Sequence, residues 1–267
     1  MDNKNIFFGE FIGTFLMLLF GCGTVAVSVL FDSLVGQFQI AIVWGTTITL
    51  CIYMTRYICN AHFNPAVSVA MAATGRMEAS ELPVYLSAQF LGAFSGAFAV
   101  YLLFGPSIRK YEAVNGITRG KWDSVATAKI FGEYYMQPGS SAVVPMGIAC
   151  AAELIGTFIL VYAIFSLTED ANVGKPSSCV APIYIGLTVT IIQCLIAPLT
   201  QAGLNPARDL APRFVALMFG WGAWSFPDAA GGAFWVYILS PVIGGLMAGL
   251  LFTKMVEPGM KRVKTAC

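Results

Sequence analysis

The chain has 267 residues, of which 57% are apolar and only 11% charged, and its mean hydropathy is +0.75. A soluble domain carries about 25% charged residues, so a soluble enzyme is nearly excluded, because too few polar side chains are present to cover a globule of this size. Fifteen basic residues against fourteen acidic ones leave a net charge of +1, which provides no basic face for gripping nucleic acid.

A helix spans a bilayer with about 20 apolar residues, and six runs approach that length. They are predicted at 6–31, interrupted only by Glu10, at 37–53 after a polar break containing Asp32, and at 82–104. After a long polar stretch they continue at 143–167, 179–200 and 233–252. Six crossings place both termini on one side. With termini in the cytoplasm, that side holds Lys4, Arg56, Arg76, Lys175, Lys254, Lys261, Arg262 and Lys264, against Arg109, Lys110, Arg119, Lys121 and Lys129 opposite, a modest bias towards termini inside. The amino end, Met-Asp-Asn-Lys-Asn, runs straight into an apolar stretch without a small-residue cleavage pattern and reads as a retained helix. Cys267 is the last residue, which is not a prenylation signal. Seven Cys, at 22, 51, 59, 150, 179, 194 and 267, with no CxxC pair and a single His, suit small buried hydrophobes better than a metal centre. Neither a metal nor a cofactor is expected.

The sequence repeats itself. Glu10-Phe-Ile-Gly-Thr-Phe15 returns as Glu153-Leu-Ile-Gly-Thr-Phe158, displaced by 143 residues, and Asn64-Pro-Ala66 returns as Asn205-Pro-Ala207, displaced by 141. Each half holds three crossings, an odd number, so the second copy enters the membrane with opposite orientation, as an inverted repeat. The expected organisation is a single membrane channel domain, 1–267, with repeats at approximately 5–104 and 143–255 joined by an extracytoplasmic loop, 105–142.

Between the second and third crossings of each half lies an apolar segment too short to span. The one at 65–74 gives roughly 15 Å of helix, half of a hydrocarbon core of ~30 Å. Asn64 and Asn205 occupy N-cap positions, and Pro65 and Pro206 the first helical position, where a missing N–H costs nothing. Inversion brings the two segments together end to end at the midplane, with their positive ends facing. Non-helical backbone at that depth survives only when buried in protein or lining a water-filled cavity, so a pore follows. Two surface turns opening ordinary surface helices are the alternative, and duplication at the repeat offset argues against them.

These residues resemble the major intrinsic protein family, the aquaporins and aquaglyceroporins. The matching blocks are Ala61-His-Phe-Asn-Pro-Ala-Val67, Pro198-Leu-Thr200, Leu204-Asn-Pro-Ala-Arg-Asp-Leu210 and the paired Glu-x-Ile-Gly-Thr-Phe. Asp209 after Arg208, Trp44 in Ile42-Val-Trp-Gly45, and the loop 126–135 are similar to the glycerol-facilitator branch. The resemblance implies an all-α integral membrane protein of six transmembrane helices plus two half-helices, one pore per subunit and a homotetramer. It also implies a multi-pass protein of a bacterial inner membrane, whose partners are membrane lipid and small uncharged solutes (glycerol, polyols, water).

Arg208 lies on the first turn of the second half-helix, where its fork of N–H groups could hold a hydroxyl or water and repel cations. Pairing with Asp209, or snorkelling outward, is its alternative. Asn64 and Asn205 would donate amide hydrogens to a single-file solute and break a proton wire. Trp44 would offer an apolar face to the carbon edge of a polyol, although packing would also account for a Trp there. The resemblance implies that His62 lines the cytoplasmic half through its carbonyl and that Glu10 and Glu153 brace the half-helix loops; a gate by protonation of His62 and a proton relay through the two acids are the alternatives. Gly92 with Gly96, and Gly245 with Gly249, have the spacing of close helix approach.

Two filter positions depart from the facilitator pattern. Ala202 stands where that branch usually has a second aromatic, followed by Gly203 in the same pore-lining loop, and Gln193 stands where it usually has Gly. A missing ring should enlarge the constriction, and an amide should make it more polar. The expected function is a passive, non-enzymatic channel for glycerol, diols, short polyols, urea and water, excluding protons and ions. The alternatives are a water-selective or metalloid-conducting channel of the same fold and an ion-coupled transporter. For the transporter, the central segments lack an acidic cluster.

Overall fold

The structure, a computed structural model, describes residues 2–138, 140–227 and 231–266. The expectations attached to Met1 and Cys267 therefore fall outside the described residues. Among the described residues six apolar helices are long enough to cross a bilayer: α1 (Asn3–Phe31), α2 (Gln37–Thr55), α4 (Leu82–Val114), α5 (Met146–Thr168), α6 (Ala181–Thr200) and α8 (Gly232–Thr265). Between them lie two short helices, α3 (Pro65–Ala73) and α7 (Pro206–Ala216), of nine and eleven residues. At 1.5 Å per residue these rise roughly 14 and 17 Å, too little to cross.

Lipid tails are as apolar as leucine, so close packing must hold the long helices together. Pairing is most extensive between α1 and α4, α2 and α6, and α5 and α8, and glycine sits at each contact. A Cβ at Gly92 or Gly96 would come within 2.5 Å of the carbonyl oxygens of Phe11 or Phe15 on α1. One at Gly45 would lie 2.0 Å from the Thr190 hydroxyl, and one at Gly244 would lie 2.2 Å from Leu154 O. Gly245 and Gly249 instead admit the half-helix α3, facing Ala66 and Thr74.

Two boundaries differ from expectation. The apolar run of the third crossing stops at 104, yet α4 continues through Pro106 to Val114, so the connecting loop starts about ten residues later than 105. Tertiary contacts carry that polar extension: Glu112 receives Arg119 Nη2 at 2.6 Å and the Thr127 hydroxyl at 2.7 Å, and the Arg119 guanidinium lies 3.9 Å from the Trp221 ring centroid. The last helix likewise runs on beyond its apolar stretch, as Glu257–Ala266. Cys22, Cys51 and Cys59 are buried free thiols, but Cys150 is half-buried and Cys179 and Cys194 are exposed, so burial accounts for only part of the cysteine set.

Candidate pore

Asn64 and Asn205 cap α3 and α7 in the same way. The Asn64 Oδ1 accepts the Ala66 N–H at 2.9 Å, and the Asn205 Oδ1 accepts those of Ala207 and Arg208 at 3.1 Å. Capping fixes each carboxamide with its nitrogen pointing away from its own helix. Asn64 Nδ2 donates to Leu204 O at 2.9 Å, and Asn205 Nδ2 donates to Phe63 O at 2.7 Å. Each amide thus crosses to the opposite loop, which brings the two half-helix starts, Pro65 and Pro206 included, against each other in the interior. One hydrogen of each amide is spent on this crossing, leaving one per Asn for a solute.

The loops that deliver these caps are strained alike. Ala61 and Phe63 before α3, and Ala202 and Leu204 before α7, all have φ between 52° and 61°, a region that non-glycine residues seldom occupy. Two carboxylates hold them there. Glu10 accepts the N–H groups of His62 at 2.8 Å and Phe63 at 2.7 Å, together with Gln89 Nε2 at 2.8 Å. Glu153 accepts those of Gly203 at 2.9 Å and Leu204 at 2.6 Å. In the first half the network extends to Ser68, which joins Gln89 Nε2 at 2.9 Å to His62 Nδ1 at 3.1 Å, while the His62 ring stacks on Tyr85 with centroids 4.7 Å apart.

Two cavities of about 500 Å³ each flank this centre. One is bordered by His62, Asn64 and Asn205 among apolar side chains such as Val67, Leu160 and Val189. The other is bordered by Trp44, Gln193, Arg208, Gln37, Gln137 and Gln201, and none of the described residues borders both. In this outer cavity the Arg208 guanidinium lies 4.5 Å from the Trp44 ring centroid. Trp44 in turn rests on α1, where a Cβ at Gly21 would meet its ring at 2.1 Å. Ala202 and Gly203 border neither cavity. Ala202 is buried, and a Cβ on Gly203 would meet Tyr237 at 2.8 Å, so the position where the resemblance places an aromatic lies behind the residues that border the outer cavity.

Arg208 does not pair with Asp209. Its partner is Glu133, from the loop between α4 and α5, and both side chains are buried. Asp209 pairs instead with Arg213, one turn along α7, through two contacts of 2.8 Å. That second pair grips the outer loop: the Glu133 N–H donates to Asp209 Oδ1 at 2.8 Å, and Arg213 donates to the Glu133 carbonyl and, at 2.8 Å, to Ser225 O. Burial raises the pKa of the Glu133 carboxyl, and the adjacent Arg208 guanidinium opposes that rise. Sequence reasoning passed over Glu133 and Arg213. The Asp209–Arg213 pair carried a readable signal, opposite charges four apart on a helix; the Arg208–Glu133 pair carried none, being a contact across 75 residues.

Six membrane-spanning helices around paired half-helices, with one cavity on either side of them, define the class of membrane channels. The chain matches the family model described as major intrinsic protein over residues 1–252. It is 36% identical over 242 residues to a glycerol uptake facilitator protein of Pseudomonas aeruginosa, covering 91% of this chain and 84% of that one. It is 35% identical to a propanediol uptake facilitator of Citrobacter freundii (92% and 90% covered) and 33% identical to human aquaporin-9 (93% and 81%). The X-ray structure of the aquaglyceroporin from Plasmodium falciparum superposes with a TM-score of 0.84 at 26% identity, covering 98% of this chain and all of that one. The protein belongs to the major intrinsic protein family and is an aquaglyceroporin-type channel.

Proposed function

We propose that this channel conducts glycerol and other small uncharged polar solutes, namely diols, short polyols and urea, together with water, while excluding protons and ions. The observation that carries the reading is the two-faced outer constriction. The Trp44 ring offers an apolar surface, and beside it Arg208 keeps Nε and Nη1 without partners among the described residues. A polyol has a carbon edge for the one and hydroxyls for the other. Relatives named for glycerol and propanediol uptake support the same solute class. Asn64 and Asn205 would each give their remaining amide hydrogen to the solute file, Gln193 would add polar contacts above them, and His62 would line the inner exit. Glu10 and Glu153 hold the loops that carry these groups. The proposal includes inverted repeats at approximately 5–104 and 143–255, cytoplasmic termini and a homotetramer of four separate pores.

Swelling of proteoliposomes in gradients of glycerol, xylitol and sorbitol tests it. Glycerol should enter faster than xylitol, and Gln193→Phe, which places a ring among the residues bordering the outer cavity, should slow xylitol more than glycerol. Equal exclusion of all three solutes would reject the polyol reading, and uphill accumulation driven by an ion gradient would replace it with coupled transport.

A further inference from the structure

We propose that the outer cavity carries a docking site, centred on Lys129, for the carboxylate of a small polyhydroxy acid, and that such an acid stops there and obstructs the pore. The inference goes beyond the polyol reading, since it concerns a solute that is held and not one that crosses. Among the described residues three charged side chains border this cavity, Lys129, Glu133 and Arg208, and the last two are spent on each other. Lys129 is in no ion pair with a described residue, so the cavity keeps one uncompensated positive charge. The segment that carries it is fixed, for the Lys129 N–H donates to Val125 O at 3.1 Å and the neighbouring Ile130 and Phe131 are buried. Burial lowers the pKa of the Lys129 amine, and Glu133, four residues along, opposes the fall. A cation taken from water without a counter-ion is costly, and a bound carboxylate removes that cost.

Around the same cavity stand groups for the hydroxyls. Tyr134 orients two of them: its N–H donates to Gln201 Oε1 at 2.9 Å, and its carbonyl accepts Gln137 Nε2 at 3.1 Å. Gln201 is left with its amide hydrogens and Gln137 with its oxygen, and the Ser28 hydroxyl adds a group of both kinds. A polyhydroxy acid is a polyol with one end oxidised to a carboxylate. Its hydroxyls suit the carboxamides, and its charge suits the amine, where the hydrogen bond is charge-assisted. That charge also keeps it from crossing, because stripping a carboxylate of its water in the narrow centre is expensive.

The test is glycerol entry into proteoliposomes of the purified full-length protein, with sodium glycerate exchanged for sodium chloride on both faces at constant ionic strength. Glycerate should slow entry saturably in the wild type, and chloride should not. Lys129→Gln, compared with its own flux in chloride, should need about tenfold more glycerate for the same block, the effect of exchanging a charge-assisted hydrogen bond for a neutral one. Lys129→Arg, which keeps the charge, should stay blocked. A wild type indifferent to glycerate, equal block in the wild type and Lys129→Gln, or equal block by chloride would each overturn the proposal. Labelling decides the matter even if a variant does not fold. In the wild type glycerate should protect Lys129 several-fold from an amine-acetylating reagent, read by peptide mass spectrometry, while the exposed Lys121 reacts as before; unchanged labelling of Lys129 would overturn the site. Wild-type liposomes no more permeable to glycerol than protein-free ones would instead defeat the polyol reading, and the glycerate block would then be read on water flux.

Discussion

Asn64 and Asn205 cap their half-helices with the same kind of contact, yet their surroundings differ in charge. Around the first lie Gln89, Ser68, His62 and a single buried carboxylate, Glu10. Around the second lie two guanidiniums and three carboxylates, Arg208 and Arg213 with Glu133, Asp209 and Glu153. The shared part, an Asn cap with a Glu brace, builds the aperture. The part that differs is confined to the outer side, where the loop carrying Glu133 has been drawn in. The two halves thus share their caps and braces, and the added charges belong to one mouth alone.

If that division holds, the two mouths should respond very differently to the loss of one polar group. Asp209→Asn strips Arg213 of its partner while the guanidinium stays fully buried. Removing one member of a buried pair costs about 3–5 kcal/mol, so the thermal midpoint in detergent should fall by many degrees and the outer loop should become open to proteolysis. Ser68→Ala removes one hydroxyl from a neutral network and should cost about 1 kcal/mol. Similar losses for the two variants would break the comparison.

The braces should fall between these values and resemble each other. Glu153→Gln confronts the N–H groups of Gly203 and Leu204 with an amide that can accept through only one oxygen, and an unsatisfied buried N–H costs about 1–3 kcal/mol. Because Leu204 holds a left-handed conformation, the released loop should also lose the carbonyl that receives Asn64. Glu10→Gln should do the same at Phe63. Both variants should lower solute flux together with stability, measured as glycerol entry per reconstituted channel alongside the melting midpoint. A brace variant that melts like the wild type but conducts poorly would mean that the carboxylate acts on the solute.

How much of this could be read from the sequence depended on the range of each interaction. The six crossings were legible because apolar runs report the bilayer, and the half-helices because Asn-Pro states a cap and a first helical residue locally. The end-to-end meeting of the two caps followed once the repeat was recognised, whereas the crossing of each amide to the opposite loop's carbonyl was not read from it. Charge pairing was not legible: Arg208 has an acid beside it in sequence, and that acid turns to Arg213, because neighbours one residue apart on a helix face different ways. Glu133 lies in a loop with no periodicity to locate it. The extension of α4 to Val114 was hidden for the same reason, since its support comes from Arg119, Thr127 and Trp221 and not from its own composition. Ala202 was identified as a missing ring, but the sequence could not show that the backbone there lies behind the cavity wall.

The inner mouth does carry charges, but at its rim. Arg76, just past the first half-helix, donates to Glu169 and Glu257 at 2.7 Å each and lies 4.6 Å from the Phe165 ring centroid, with 23% of its side chain exposed where Arg213 has none. Burial alone would raise the pKa of the Glu169 carboxyl, yet the Ala171 N–H and the Arg76 guanidinium hold it below the ordinary value. A folded pKa below the unfolded one, about 4.3, means that the pair stabilises fully above that pH and is lost as pH falls through the lower, folded value. For a partly exposed pair the amount is at most about 1 kcal/mol. Between about pH 5 and pH 3 the wild type should therefore lose slightly more thermal stability than Glu169→Gln, and added salt should narrow the gap because exposed pairs are screened. A salt-insensitive gap of several kcal/mol would mean that the inner charges are as deeply committed as the outer ones, and the contrast between the two mouths would disappear.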